Sequence, residues 1–177
     1  TGISWTKTNN VVWYTNEPKK DTHSVNLRYR GVIEKAVSLE GYKNITTSFS
    51  WGAYSLDNSN EYVKAEYFDG TNWNPIERIN NNTTNENKLL NPTTFTFPAS
   101  VENNKNFKLR FAIVGSGTGD HAYIDDVVVS GVVSSGTTPI DPEPQATTTP
   151  TSTIVNIPQL TSWQIQFNGI LDQNVDA

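Results

Sequence analysis

The chain has 177 residues, 35% of them hydrophobic and 18% charged, with a formal net charge of -5 and neither cysteine nor methionine. That composition excludes a disulfide framework, thiol catalysis and thiolate metal sites, and its acidic balance argues against non-specific nucleic-acid binding, which needs basic patches to displace counterions. The length allows one ordinary core, while a mean hydropathy of -0.51 leaves part of the chain for linker.

From Val11 to Val129 short β-prone runs alternate with turn clusters. The runs are VVWYT (11–15), SVNLRYR (24–30), VIEKAV (32–37), NITTSFSW (44–51), EYVKAEYF (61–68), TTFTFP (93–98), NFKLRFAI (106–113) and AYIDDVVV (122–129). The clearest alternation sets Phe107, Leu109, Phe111 and Ile113 on one face against Lys108 and Arg110 on the other, so that strand covers a core on one side and meets water on the other. Between the runs lie Asp69-Gly70, a tight-hairpin signal, and the polar loop NNNTTNENK (80–88). No useful length shows helical periodicity. This spacing predicts an all-β domain over 1–131, a two-sheet antiparallel β-sandwich in jelly-roll order.

The composition changes after Gly131. Residues 132–156, dominated by Ser, Thr and Pro, read as a semi-extended linker, too poor in apolar surface to offset the entropy of ordering it. Residues 157–177 turn apolar again, with Trp163, Ile165 and Phe167 alternating as in a strand. About 20 residues cannot close a core alone, so this tail reads as the start of a second domain or as a strand, 163–167, that docks on a neighbour. The chain begins at Thr1 without Met or a signal peptide and is read as a mature or excised piece, and no apolar stretch approaches the ~20 residues of a membrane helix.

Few motifs carry chemistry. No Gly-x-Ser-x-Gly elbow occurs, and Gly-Ser-Gly-Thr-Gly (115–119) reads as a loop, since no helix follows to bind phosphate. His23 and His121 are the only histidines; without cysteine or a close histidine pair they read as solvent-facing loop residues rather than zinc ligands. Asp125 and Asp126 interrupt an otherwise apolar run. Alternation sends them to opposite faces, so they cannot flank one glycosidic bond as an acid and base pair would, and at least one should meet the inside of a sheet or its rim. Sugar binding is the more credible activity, since it uses flat aromatic faces with amide, carboxylate or guanidinium partners for hydroxyls. The candidates are Trp73, just past a turn, Tyr54, in the loop after Trp51, and Trp51 itself, which alternation otherwise gives to the core; Trp5 and Trp13 complete the set.

Two stretches resemble known families. HSVNLRYRG, VSLEGYKNITTSFSW, EYVKAEYFDGTNW, NFKLRFAIVG and GDHAYIDDVVVSG resemble, in order and spacing, the jelly-roll accessory modules of secreted bacterial and archaeal proteins, a group similar to MAM and carbohydrate-binding-module sandwiches. SWQIQFNGILDQNVDA resembles the opening of the endo-α-1,4-polygalactosaminidase family of glycoside hydrolases through Trp163, Gln164, Gln166, Leu171, Asp172 and Asp176. The first resemblance implies a structural calcium ion near the closing strand, with Asp126 and Asp125 on that motif and Asp21 or Glu17 of the N-terminal loop completing the set; the alternative is a carboxylate that accepts backbone or arginine hydrogen bonds and caps the sheet. Together they imply an extracellular, non-catalytic accessory module that binds or positions at polysaccharide, attached to the truncated start of a hydrolase. A different class of reading is a structural or adhesive cell-surface subunit whose C-terminal strand completes a neighbouring sheet.

Overall fold

The alternating runs fold as strands because one face of each is apolar and the other polar, which only a two-layer packing satisfies. The structure is a computed structural model that describes residues 5–20 and 22–134. Its strands are β1 (Thr6–Lys7), β2 (Val11–Tyr14), β3 (Ser24–Arg28), β4 (Val32–Ala36), β5 (Tyr42–Tyr54), β6 (Tyr62–Phe68), β7 (Trp73–Asn80), β8 (Asn91–Thr96), β9 (Lys108–Val114) and β10 (His121–Val133). Among the described residues there is no α-helix, only a 3-10 turn at Ala99–Val101.

All strand pairs are antiparallel and form two five-stranded sheets, β1-β4-β9-β6-β7 and β2-β3-β10-β5-β8. The described residues thus form the expected antiparallel β-sandwich. The strand β10 runs through Val133, where Val132 and Val133 still pair with Lys43 and Tyr42, two residues past the expected end of the domain. The expected remainder of the linker, the second domain with its hydrolase-like motif and the docking strand 163–167 lie outside the described residues.

The sequence reading missed β7, because Pro75 and an uneven pattern argue against a strand. It is an edge strand, where a missing N–H leaves no ladder bond unmade, and a register shift opposite Ala65/Glu66 absorbs the irregularity. The Asp69-Gly70 signal holds: Asp69 Oδ1 accepts the N–H groups of Thr71 (2.8 Å) and Asn72 (2.7 Å), and Gly70 sits at φ 99°, joining β6 to β7.

The core lies between the sheets. Phe49 meets Phe111 and Trp51 edge-on at 4.9 and 5.3 Å, and Phe97 meets Phe107 and Tyr67 at 5.1 Å each. Burying each such side chain stabilises the fold by roughly 1.5–3 kcal/mol, with ~0.5–1.5 kcal/mol more for each ring pair. Trp51 is fully enclosed here and its indole N–H donates to Thr93 Oγ1 at 3.0 Å, so it presents no face to a ligand; as a binding candidate it is corrected to core. Trp5 and Trp13 pack against the same core from its edges.

Candidate functional site

Strand alternation sends Val25, Leu27, Trp51, Ala53, Ala122 and Ile124 into the core. Their neighbours therefore stand on the outer face of the β2-β3-β10-β5-β8 sheet. Register lines them up across the strands: Arg28, His121 and Tyr54 in one row, and Val12, Asn26, Tyr123 and Gly52 in the next. Tyr14 beside Ser24, and Asp125 beside Ser50, continue the face.

Four rings form a continuous path over this face. Tyr54 lies 6.4 Å from His121, His121 stacks on Tyr123 at 5.9 Å with planes 10° apart, and Tyr123 reaches Tyr14 at 5.4 Å. Tyr54 is 48% exposed, Tyr14 and His121 are half-buried, and Tyr123 is buried beneath them. Burial, followed by the neighbouring Tyr14 and a hydrogen bond with it, pushes the Tyr123 phenol up to about 12, so it stays a neutral floor.

The polar groups are ordered. Arg28 Nε donates to Asn26 Oδ1 at 2.8 Å, which turns the Asn26 amide toward the Ala122 carbonyl (3.4 Å) and His121 Nδ1 (3.2 Å). His121 Nδ1 thus sits against both ends of that amide, 3.2 Å from Nδ2 and 3.3 Å from Oδ1, which holds the ring in place whichever of its nitrogens carries the proton. Burial, then the charges of Arg28 and Lys88, hold His121 below the ordinary 6.5 and favour the neutral imidazole.

Two loops bound the face. The 81–90 loop runs beside β5, with Ala53 N–H donating to the Asn85 carbonyl (3.2 Å) and Lys88 N–H to the Ala53 carbonyl (3.0 Å). It rises over Gly52 so closely that a Cβ there would lie 1.9 Å from the Leu89 carbonyl oxygen, which only glycine permits. The same loop sets Lys88 Nζ 5.3 Å from the Tyr54 ring and leaves Leu89 exposed. At the other end, the 15–20 loop is pinned by Ser24 Oγ donating to the Pro18 carbonyl (2.7 Å) and Lys20 N–H donating to Asp125 Oδ2 (2.8 Å).

The sequence candidates scatter. Tyr54 stands on this face, but Trp73 belongs to β7 of the other sheet, packed against Phe68 with Arg110 over its ring at 3.6 Å. The residues that accompany Tyr54 were missed: Tyr14, Asn26, Arg28, His121 and Tyr123. His121, read as a solvent-facing loop residue, is instead a half-buried strand residue of the site. His23 is exposed and packs edge-on to Trp13 at 5.6 Å. The signal for the missed set was the polar and aromatic phase of SVNLR and HAYID, invisible until the two runs are known to pair.

The carboxylates also rearrange. Asp125 is buried and accepts backbone N–H groups from Lys20 and from Asp126 (2.8 Å). Asp126 is exposed at φ 51°, and Glu17 is exposed and paired with Lys19 at 2.9 Å. Asp21 lies outside the described residues. Among the described residues, the carboxylates whose oxygens converge within 4.8 Å are Asp57, Glu61 and Asp120. Glu61 receives the N–H groups of Asp57, Asn58 and Ser116, and Asp120 those of Ser116 and Gly117. The charge of Glu61, then burial and the charge of Asp120, raise Asp57 above the usual carboxylate range.

No protein-family model and no curated protein matches this sequence. Solved structures do match. The carbohydrate-binding module TmCBM61, in complex with β-1,4-galactotriose, superposes with a TM-score of 0.52 at 14% identity, covering 71% of this chain and 86% of that one. A carbohydrate-binding module from the β-sandwich superfamily gives 0.49 at 16% identity over 72% of this chain and 57% of that one. The K3 cleaved adhesin domain of Lys-gingipain from Porphyromonas gingivalis W83 gives 0.46 at 16% identity over 72% and 92%. At 14% identity the first of these likenesses shows the fold alone, a two-sheet β-sandwich.

Proposed function

We propose that this chain is a non-catalytic carbohydrate-binding module that holds polysaccharide on the outer face of the β2-β3-β10-β5-β8 sheet. The observation that carries the reading is the path of rings Tyr54–His121–Tyr123–Tyr14, with Asn26 and Arg28 fixed beside it and loops at both ends. Pyranose C–H faces stack on the exposed rings, while the Arg28 guanidinium and Lys88 ammonium donate to ring hydroxyls and the His121 imidazole offers a further polar edge. The likeness to TmCBM61, bound to a galactotriose, supports the same reading. In this view the chain is the accessory part of an extracellular glycoside hydrolase and tethers it to its substrate. Among the described residues no helix is long and apolar enough to cross a membrane.

The test is glycan-array binding followed by calorimetry on the full chain. Tyr54→Ala should abolish binding without lowering the melting temperature, because Tyr54 is exposed, and Trp73→Ala should leave this binding intact. Loss with Trp73→Ala alone would move the site to the other sheet, and no bound glycan would end the reading.

A structural calcium ion belongs to the same proposal. Its oxygen donors would be Asp57, Glu61 and Asp120, a hard-ligand set that suits Ca²⁺ and has no ion-paired lysine or arginine among the described residues. The ion would relieve the repulsion that raises Asp57. Chelation should lower the melting temperature; an unchanged melt with no calcium by mass spectrometry would remove the ion from the proposal.

A further inference from the structure

The outer face of the β1-β4-β9-β6-β7 sheet differs in chemistry from the ring-lined face. Alternation places Leu109, Phe111 and Ile113 of β9 and Val63, Ala65 and Tyr67 of β6 in the core, so Arg110, Ala112, Val114, Tyr62, Lys64, Glu66 and Phe68 face outward. Around them stand Arg78 of β7, Lys108 of β9 and Arg30 of the β3–β4 turn. A chain of net charge -5 thus gathers five cations on one face, against two carboxylates, Glu34 and Glu66.

These cations are held in place. The Arg110 guanidinium lies over Trp73 at 3.6 Å and Arg78 over Tyr62 at 3.5 Å. Glu66 takes both Lys64 (2.9 Å) and Arg110 (Nε, 3.0 Å), and those hydrogen bonds outweigh its burial and lower its carboxyl below the ordinary range. Arg30 and Arg78 have no carboxylate partner among the described residues. Between Arg30, Lys64 and Arg110 the small side chain of Ala112, with Val32 and Val114, floors a depression of about 370 Å³.

We propose that this face is a second binding surface, for an anionic polysaccharide bearing carboxylate or sulfate groups. The apolar floor accepts the C–H face of a sugar ring, and the surrounding cations meet the acidic group at its edge. Register sets Arg78 directly opposite Lys64 with Ala112 beyond it on β9, while Arg110 stands in the next outward row between Glu34 and Glu66. The two cations without a carboxylate partner among the described residues, Arg30 beside β4 and Arg78 on β7, are separated by the strands β9 and β6, or roughly three spacings of ~4.8 Å, so a chain of acidic sugars spans them where a single acid does not. Stacked guanidiniums lose little freedom on binding, which favours such contacts over those of free lysines. The surface is independent of the glycan site proposed above, because it lies on the opposite sheet.

The experiment titrates the full chain with polygalacturonate, with the same polymer methyl-esterified, with dextran sulfate and with poly-glutamate. Polygalacturonate or dextran sulfate should bind and the esterified polymer should not. Raising NaCl from about 0.01 M to about 1 M, which shortens the screening length from ~30 Å to ~3 Å, should remove that binding. The exposed double charge reversal R30E/R78E should weaken it by about tenfold or more at low salt while the melting temperature holds. Tyr54→Ala should leave it unchanged, so failure of the ring-lined site and failure of this one are read separately. The proposal is overturned if neither acidic polysaccharide binds, if R30E/R78E binds as tightly as the parent, if Tyr54→Ala abolishes the binding, or if poly-glutamate binds as well as the polysaccharides.

Discussion

The 81–90 loop is part of the proposed site only if it rests on Gly52, and Gly52→Ala tests that directly. The added Cβ would lie 1.9 Å from the Leu89 carbonyl oxygen and 3.0 Å from its carbon, where ordinary contact begins at 3.4 Å. The Leu89 peptide must therefore retreat by about 1.5 Å, and it is backbone, not the yielding end of a long side chain. Retreat strains the two bonds that tie the loop to Ala53, each worth ~1 kcal/mol net, and overpacking of this kind costs ~1–3 kcal/mol. The expected loss is about 2–3 kcal/mol, or roughly 6–12 °C in melting temperature for a body of this size. Because the same loop carries Lys88 to the Tyr54 ring, glycan affinity should fall as well. Differential scanning calorimetry and glycan titration of G52A read the two effects. A melting temperature within about 1 °C of the parent, together with unchanged affinity, would refute the placement of the loop over Gly52.

Two further outcomes follow from titratable groups shielded from water. His121 is held below 6.5 in the folded chain, so the unfolded chain binds its proton first; stability is full above 6.5 and declines as pH falls from there through the lower folded value. Melting curves of His121→Gln against the parent should lose that part of the acid slope, and identical slopes would contradict the half-buried neutral imidazole. Lys35 is buried on the inner side of β4, opposite Leu109, burial lowers its amine below the ordinary 10.5, and it has no ion pair among the described residues. Lys35→Met keeps the aliphatic stem and removes the charge, so it should stabilise by ~1 kcal/mol in urea unfolding; a lower midpoint would show that the ammonium has a partner.

Eight strands were legible because each keeps period-two alternation over one buried face, as Phe107 to Ile113 shows. Those that escaped were Thr6–Lys7, too short to carry a pattern, and Trp73–Asn80, whose Pro75 reads as a breaker until its edge position is known. Of the face proposed to bind glycan only Tyr54 was legible. Tyr14, Asn26, Arg28, His121 and Tyr123 are brought together by register across strands up to about 110 residues apart in the chain, which local periodicity does not encode. Trp51 and Trp73 drew attention as large aromatics, but an aromatic residue on a strand is read only after its phase is fixed, and theirs put one in the core and one on the other sheet.

The same phase argument explains the adjacent carboxylates of β10. Ile124 points into the core, and after it Val127 and Val129 do so as well, so the inward set changes from even to odd numbers. The change occurs at the register shift between Asp125 and Val128, where Asp126 is the extra residue, at φ 51°. Without that bulge the alternation would carry Asp126 into the apolar interior and turn Val127 and Val129 outward. Aspartate suits the position because it visits the left-handed region at lower cost than most residues, and its carboxylate faces water. Asp126→Gly should therefore leave stability unchanged or raise it slightly, while Asp126→Val, β-branched at positive φ, should cost about 1–2 kcal/mol. A calcium ligand at Asp126 predicts instead that both substitutions lose the ion, so that Asp126→Gly too falls below the parent in chelator-free buffer. Paired melts of the two variants, with and without EDTA, separate the cases: an EDTA-sensitive parent with an EDTA-insensitive Asp126→Gly of lower melting temperature would make Asp126 a metal ligand and overturn the bulge as its reason for being there.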